Sequence, residues 1–384
     1  MKRVVLFKKS VAILLCLLLL TSCSDRKTPE AKSSGYSGTV EGVKFELTDV
    51  GPHVNMHSEL QNSYLTDVAE SGNPDCMILY AQGLMEESRP VPVELSWTAA
   101  ADTPIDSYTV YISKNSDMRD LFYRESTVDS CLQVYNLEIG TTYYWSVAAR
   151  IGDKEITSGT ASFTIDSAVP RNLYIDGITN VRDLGGYKTA DGGRVKQGMI
   201  YRSGRMNVSN DPTPTIEITG TGKHWFKDVL GIRSDIDLRT FEEAGQIVES
   251  PLGNDVNYLH APMTWENNIL TDNTQMIREV FAFLAKEENY PVVIHCNIGT
   301  DRTGMICFLI NGLCGVSEED LCIDYTFSNF GSIGSGRSAD TILLDYLPIV
   351  KEAKGDSLSK KIYNYLVGIG VPEADLNAII SYMT

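Results

Sequence analysis

From about Glu94 onward, apolar and polar residues alternate in short runs separated by turn-forming residues. VELSWTAA, DSYTVYIS, SCLQVYNL, TYYWSVAAR and TASFTI each put alternate side chains on one face, the pattern of a half-buried strand. Runs at this spacing predict an all-β sandwich. Residues 44–88 show no clear period and are expected to add strands to it, so that the β region spans 44–166. Residues 166–174, with Pro170 as a stiff joint, lead into a segment of another kind. There, apolar runs of strand length (292–294) alternate with apolar runs of helix length (303–315). That alternation predicts an α/β domain over 167–384 with a central, mostly parallel sheet.

The first residues follow neither pattern. MKRVVLFKKS carries Lys2, Arg3, Lys8 and Lys9, and VAILLCLLLL and TSCSD follow it. A basic segment, an apolar run too short for an ordinary spanning helix and small residues before a cleavage point describe an export signal over 1–22. Its ending, Leu-Thr-Ser-Cys, resembles a bacterial lipobox, which implies that Cys23 is lipidated and becomes the N-terminus. The chain is then expected on the periplasmic side or at the cell surface, held by acyl chains. Residues 23–43 have the polar composition of a flexible tether.

Within the β region, from about residue 89, LEIGTTYYWSVAAR (137–150) resembles the tyrosine-corner strand of fibronectin type III domains, and Trp97 falls where that family keeps an early core tryptophan. The resemblance implies an immunoglobulin/fibronectin-like sandwich. Its loops would bind protein or carbohydrate, or the module would act as a spacer from the membrane. The spacer is the reading preferred here.

The net charge of −17 argues against a nucleic-acid partner, which would require a basic face. Six cysteines remain once Cys16 and Cys23 are assigned to the signal and the anchor: Cys76, Cys131, Cys296, Cys307, Cys314 and Cys322. Cys76 and Cys131 are candidates for a disulfide in an oxidising compartment. None has metal-ligand spacing, so no zinc site is predicted.

Residues 295–304 read HCNIGTDRTG, between the buried strand and the apolar helix. A strand, a tight loop and a helix N-terminus together make an anion site, with the amides of Asn297, Ile298, Gly299, Thr300, Asp301 and Arg302 turned inward and the helix dipole behind them. Gly299 permits positive φ in mid-loop. Cys296 at the loop base is expected to be a thiolate that attacks phosphorus, and Arg302 to bind two non-bridging oxygens. His295 is expected to hold the loop by hydrogen bonds, and Thr303 to donate its hydroxyl to Cys296. A bare Cys-x5-Arg spacing is weak, but His295, Gly299, Thr303 and Gly304 around it leave little room for a structural cysteine in a turn.

These residues, with TNVRDLGGYKTADGGRVKQGMIYRSG (179–204), LGIRSDIDLRTFEE (230–243), GVSEEDLCIDYTFSN (315–329) and YLVGIGVPEADLNAI (365–379), resemble the bacterial branch of the cysteine-dependent protein tyrosine phosphatases. The resemblance covers about 170–384. It implies a multidomain chain ending in a phosphatase domain that acts through a phosphocysteine and needs no cofactor. It also implies a phosphotyrosine-containing protein, or a small aryl or alkyl phosphate, as substrate. Thr300 departs from the branch, which has lysine there and acts on phosphoinositides as well. The departure favours phosphotyrosine, with a phosphoinositide or inositol phosphate phosphatase as the alternative. An inactive surface binding protein is the second alternative.

Two carboxylates remain in play as general acid: Asp301, the position this branch uses, is preferred over Asp237, which could instead pair with Arg239. Arg182 and Asp183 are expected to support the loop's rim. Arg202, Arg205, Lys223 and His224 read as solvated charges, with local positive potential as their functional reading. In MTWENNILTD (263–272), Trp265 is either a lid residue over an aromatic substrate or a core tryptophan. Cys307, Cys314 and Cys322 read as small core residues.

Overall fold

The computed structural model describes residues 33–207, 217–245, 247–266 and 268–384. The export signal, Cys23 and the first part of the expected tether lie outside them.

The alternating runs form two sheets around one core. In the first, Tyr36–Val40 pairs with Val43–Leu47, which pairs with Val93–Ala100 and then Cys131–Val134. In the second, Ser107–Ser113 lies between Leu121–Thr127 and Thr142–Ile151, and the last strand also pairs with Lys154–Thr157 and Ala161–Thr164. Phe45, Trp97, Val110, Trp145 and Phe163 are buried between the sheets. Burying such aromatic side chains is the main source of stability for a module of this size. The Tyr143 hydroxyl accepts from the Glu138 amide at 2.8 Å, tying the start of one strand to the turn before it.

The tether expectation needs correction, because Tyr36–Val40 is already a strand. Glu41 (φ 46°) and Gly42 (φ 85°) make the tight two-residue turn that such a hairpin demands. Ser, Gly and Thr gave this stretch a linker's composition, but its period of two is that of an edge strand. Of residues 44–88, the strand Val43–Leu47 joins the sandwich, Val54 bridges Ile165, and Met56 is buried in the same core. The rest forms a helix, Glu59–Ser71, with a capping box between Ser58 and Gln61, and a 3-10 turn, Pro74–Leu79. Tyr64, Val68 and Met77 from this segment pack against Ile323, Phe327 and Phe330 of the C-terminal half. It is a clasp between the halves.

The halves also share a buried polar joint. Arg171 donates from Nε to the Leu137 carbonyl (3.0 Å), from Nη2 to the Asn136 carbonyl (2.6 Å) and from Nη1 to Asp183 (2.6 Å). The Asn136 side chain donates to the Tyr174 carbonyl and accepts from its amide, and Gln197 does the same for Ile139. A guanidinium so placed must keep all its partners, since an unpaired buried charge is costly.

The C-terminal half is built on a six-stranded sheet in the order Arg171–Asn172, Arg182–Asp183, Ile200–Ser203, Val292–His295, Ser234–Asp237, Asn257–His260. The last four strands are parallel and the first two pairings antiparallel. Val292–His295 is central and buried on both faces, as its β-branched run requires. The helix Asp301–Leu313 is buried from Arg302 to Leu313. A helix apolar nearly all round belongs in a core, and this one crosses the middle of the domain.

Candidate active site

The sheet brings several chain segments to one point. Ser203 and Asp237 both sit opposite His295 in the parallel registers, so the segments leaving three adjacent strands converge beside Cys296. This is the carboxyl edge of a parallel sheet, the usual place for a ligand in such folds.

The loop after His295 is held from outside by its carbonyls. Asn297 O accepts from the Arg205 amide (3.0 Å), Ile298 O from Asn180 Nδ2 (2.9 Å) and Gly299 O from Arg202 Nη2 (2.7 Å). In a planar trans peptide the N–H points opposite to the C=O. Pinning these three carbonyls outward therefore turns the amides of Ile298, Gly299 and Thr300 to the inner side of the loop. Gly299 has φ +70°, and a Cβ there would lie 2.4 Å from the Ser203 carbonyl oxygen. Glycine is required at this position.

Arg302, the second residue of the helix, folds back along the loop. Its Nη2 donates to Glu243 Oε1 at 3.0 Å, and Nη1 donates to Glu243 Oε2 and, more weakly, to the carbonyls of Leu238 and Met263. Its Nε is buried with no hydrogen-bond partner among the described residues. The Nε–H and the second Nη2 hydrogen form a fork matched to two oxygens of a phosphate. Glu243 also accepts from Asn297 Nδ2 at 2.7 Å, so one carboxylate orients both the arginine and the loop.

The electrostatics single out one thiol. Burial pushes the Cys296 thiol up, but Arg302 and the hydroxyl and amide of Thr303 pull it down further, leaving it below the ordinary thiol value. Burial pushes Cys307, Cys314 and Cys322 up to about 12. These three are core residues, and Cys76 and Cys131 stand as free thiols.

His295 lies between Asp235 (Nε2 to Oδ1, 3.2 Å) and Asp237 (Nδ1 to Oδ1, 3.8 Å). Burial lowers its pKa, but the two carboxylates outweigh burial and raise it. The imidazole sits beneath the loop between two carboxylates. The surroundings of Asp237 disfavour it as the acid. Its oxygens accept from the Arg239 amide, Nε and Nη2 and from the Tyr258 hydroxyl, and it is fully buried. Burial raises its pKa, yet His295 and Arg239 hold it far below the carboxylate range. A buried carboxylate paired in this way is a poor proton donor.

The support expected from Arg182 and Asp183 divides. Arg182 donates to Asn180 Oδ1, to the Asp324 carbonyl (2.8 Å) and to Ser328 (3.1 Å), and Asn180 in turn holds the loop. Asp183 is instead spent on Arg171 and the amides of Gly185 and Gly198, at the joint between the halves. Arg202 and Arg205, read as solvated, are buried. A partner carboxylate makes Arg202's burial possible, since it donates to Asp324. Lys223 and His224 are exposed on a short helix, Gly220–His224.

Asp301 sits at the helix start and lines an open cavity of about 730 Å³ with Trp265, Glu266, Tyr325, Arg337 and Leu344. Its Oδ1 accepts from Arg337 Nε (2.8 Å) and the Tyr325 hydroxyl (3.2 Å), and its Oδ2 from Arg337 Nη2 (3.1 Å). Trp265 is 55% exposed and lines this cavity, so it is not a core residue. Thr300 is fully buried, and its hydroxyl accepts from Asn180 Nδ2 at 3.3 Å. The structure therefore gathers Cys296, Arg302, Thr303 and Asp301, and leaves Asp237 and Asp183 outside.

Three site residues were missed from sequence. Glu243 carried a signal, because Thr240-x-x-Glu243 is a capping box at the helix Phe241–Ala244. Asn180 lies in the segment that resembles the phosphatase branch. Arg337 carried none.

A family model described as the tyrosine phosphatase family matches residues 173–343. A protein of Cupriavidus necator named as a tyrosine-protein phosphatase is 27% identical over 183 residues, 41% of this chain and 63% of that protein. A tyrosine-protein phosphatase of Nostoc commune is 27% identical over 132 residues, 29% of this chain and 45% of that protein. The chain thus spans less than two thirds of the length of either relative. Among solved structures, the core catalytic domain of the PP-IP phosphatase SIW14 from S. cerevisiae is similar at 17% identity and a TM-score of 0.28, covering 40% of this chain and 84% of that one. The segment that carries the Cys296 loop is similar to the tyrosine phosphatase family.

Proposed function

We propose that this protein hydrolyses phosphomonoesters through a phosphocysteine intermediate, with phosphotyrosine in a polypeptide as its preferred substrate. The observation that carries the reading is the loop whose three outward carbonyls turn its amides over a single lowered thiol beside the Arg302 fork. The Cys296 thiolate attacks phosphorus; the S–P bond forms as the ester P–O bond breaks. The leaving oxygen takes a proton from Asp301 Oδ2, which is protonated for this step in exchange for its bond from Arg337 Nη2, while Oδ1 keeps the bond from Nε. Asp301, now a carboxylate, takes a proton from water, whose oxygen attacks phosphorus and releases phosphate and the thiolate. Arg302 and the amides stabilise the equatorial oxygens in both steps.

The charge around the mouth supports phosphotyrosine over phosphoinositides. Thr300 contributes no cation, Arg337 is committed to Asp301, and Glu266 and Asp345 line the cavity. This cavity adjoins Cys296 and Arg302 only through Asp301 of the loop; a second phosphate entering it would meet carboxylates, whereas Trp265 and Leu344 offer an aryl ring apolar contact. The fibronectin-like reading of the sandwich, supported by the tyrosine bond to Glu138, belongs to the same proposal. So do export and lipid anchoring at Cys23, supported by the order of basic, apolar and small residues before it.

The test is turnover of p-nitrophenyl phosphate by residues 24–384 under reducing conditions with chelator present, beside Cys296→Ser. Turnover in the wild type and none in the variant supports the thiolate mechanism. A folded, reduced wild type without turnover overturns it in favour of a binding protein. Partition of the full chain into detergent, lost in Cys23→Ala, tests the anchor.

A further inference from the structure

The segment 73–88 belongs to the N-terminal half, outside the residues similar to the phosphatase family, yet it reaches the active site. Asp75 Oδ1 accepts from the Ser338 hydroxyl (2.8 Å) and the Ala339 amide (2.7 Å). Gly83 makes three backbone bonds to the same loop: its amide donates to the Asn329 carbonyl (2.8 Å), and its carbonyl accepts from the amides of Ile333 (2.9 Å) and Gly334 (2.8 Å). Asn329 then grips Arg337 by its backbone, with Oδ1 accepting from the Arg337 amide and Nδ2 donating to its carbonyl, both at 2.7 Å. From that fixed point the Arg337 side chain reaches Asp301.

We propose that Asp75 and Gly83 are positioning residues for the active site: they fix the loop 329–339, through it the Arg337 guanidinium, and through Arg337 the aim of the Asp301 carboxyl into the cavity. The inference rests on Asp301 being the general acid. Loop 329–339 contains Gly331, Gly334 and Gly336 and has no regular structure between Phe330 and Thr341, so its own sequence does not fix it. The clasp supplies that order from the other end of the chain. Gly83 is suited to this because it has φ +72° and a Cβ there would lie 2.5 Å from Ile333 Cγ1. The N-terminal half is thereby part of the catalytic apparatus, a different role from that of a spacer.

A proton donor that is misaimed, but otherwise intact, matters only when the leaving group needs the proton. Asp75 is half-buried, and the test compares the full-length wild type with Asp75→Ala and Asp75→Asn on two esters. Phenyl phosphate leaves as a basic phenoxide that needs protonation, and 2,4-dinitrophenyl phosphate as a weakly basic one that does not. Asp75→Ala is expected to lower kcat on phenyl phosphate by about tenfold or more with KM little changed, and to leave the dinitrophenyl ester within about twofold. Asp75→Asn keeps the Oδ1 acceptor and is expected to behave as wild type. Equal losses on both esters, an unaffected Asp75→Ala, or an Asp75→Asn as slow as Asp75→Ala would overturn the proposal. Wild-type turnover of the dinitrophenyl ester, lost in Cys296→Ser, is the separate check on the phosphatase reading.

Discussion

Glu243 and Arg302 face each other as a two-point ion pair in which one Nη2 hydrogen and the Nη1 group are spent and Nε is kept back. Burial raises the Glu243 pKa, but Arg302 and the bonds from Thr240 outweigh it, so Glu243 is a carboxylate at neutral pH. It fixes which edge of the guanidinium meets the substrate. Glu243→Ala is expected to lower kcat/KM for aryl phosphates by about tenfold or more, because the freed arginine samples rotamers that cannot reach two oxygens at once. Steady-state kinetics, with thermal unfolding as a control for folding, measures it. An unchanged kcat/KM would show that the loop alone orients Arg302.

The lowered Cys296 thiol has a consequence for pH. Thr303 contributes to the lowering, so Thr303→Ala should raise the Cys296 pKa toward the ordinary value. The thiolate fraction at a given acidic pH then falls. Site-resolved alkylation of Cys296 by iodoacetamide should be severalfold slower in the variant at about pH 6, and the two rates should approach each other as pH rises. Identical rates across the range would mean that Arg302 sets the thiolate alone.

Much of this site was legible because its signal is local. The nucleophile, the arginine, the positive-φ glycine and the helix start fall within ten consecutive residues, so one stretch of chain specifies the cradle. The alternation in 93–164 showed the strands for the same reason. The helix Glu59–Ser71 was not legible, because the face it buries is narrow and its partners, Ile323, Phe327 and Phe330, lie over 250 residues away. Asp301 is preferred to Asp237 as the acid through the family resemblance, with no local signal in the chain to separate them. Packing separates them, since His295, Arg239 and Tyr258 surround one and the cavity opens onto the other. Arg337 sits in a glycine- and serine-rich loop that reads as solvent-exposed linker, and only the clasp from 73–88 gives it a fixed place.

Asp324 is buried between two arginines, accepting from Arg202 Nη1 at one oxygen and from Arg182 Nε (3.4 Å) at the other. Burial raises its pKa, but the two guanidinium groups outweigh it and the folded value is lowered. A lowered folded pKa contributes stability that is complete above the unfolded value of about 4 and is lost as pH falls through the folded value. Asp324→Asn should therefore destabilise the protein at neutral pH by about 3–5 kcal/mol, since two buried cations lose their counter-charge. The gap between wild type and variant should narrow below about pH 4. Denaturant titrations at several pH values measure both, and a gap independent of pH would mean that the substituted amide restores by hydrogen bonding what the site loses in charge.

The assignment of Asp301 as the acid leads to the sharpest test of mechanism. Asp301 is adjacent to Arg302, lines the cavity and is held by Arg337 and Tyr325, so its replacement removes a proton donor without emptying the core. Asp301→Asn keeps the shape and the acceptor oxygen. Its kcat on phenyl phosphate should fall by about a hundredfold, within the range that general acids contribute. On 2,4-dinitrophenyl phosphate it should fall far less, because the departing oxygen is stable without a proton. A plot of log kcat against leaving-group basicity should therefore steepen in the variant. Parallel plots for wild type and Asp301→Asn would assign the proton to another group; Asp237, locked between His295 and Arg239, would not supply it.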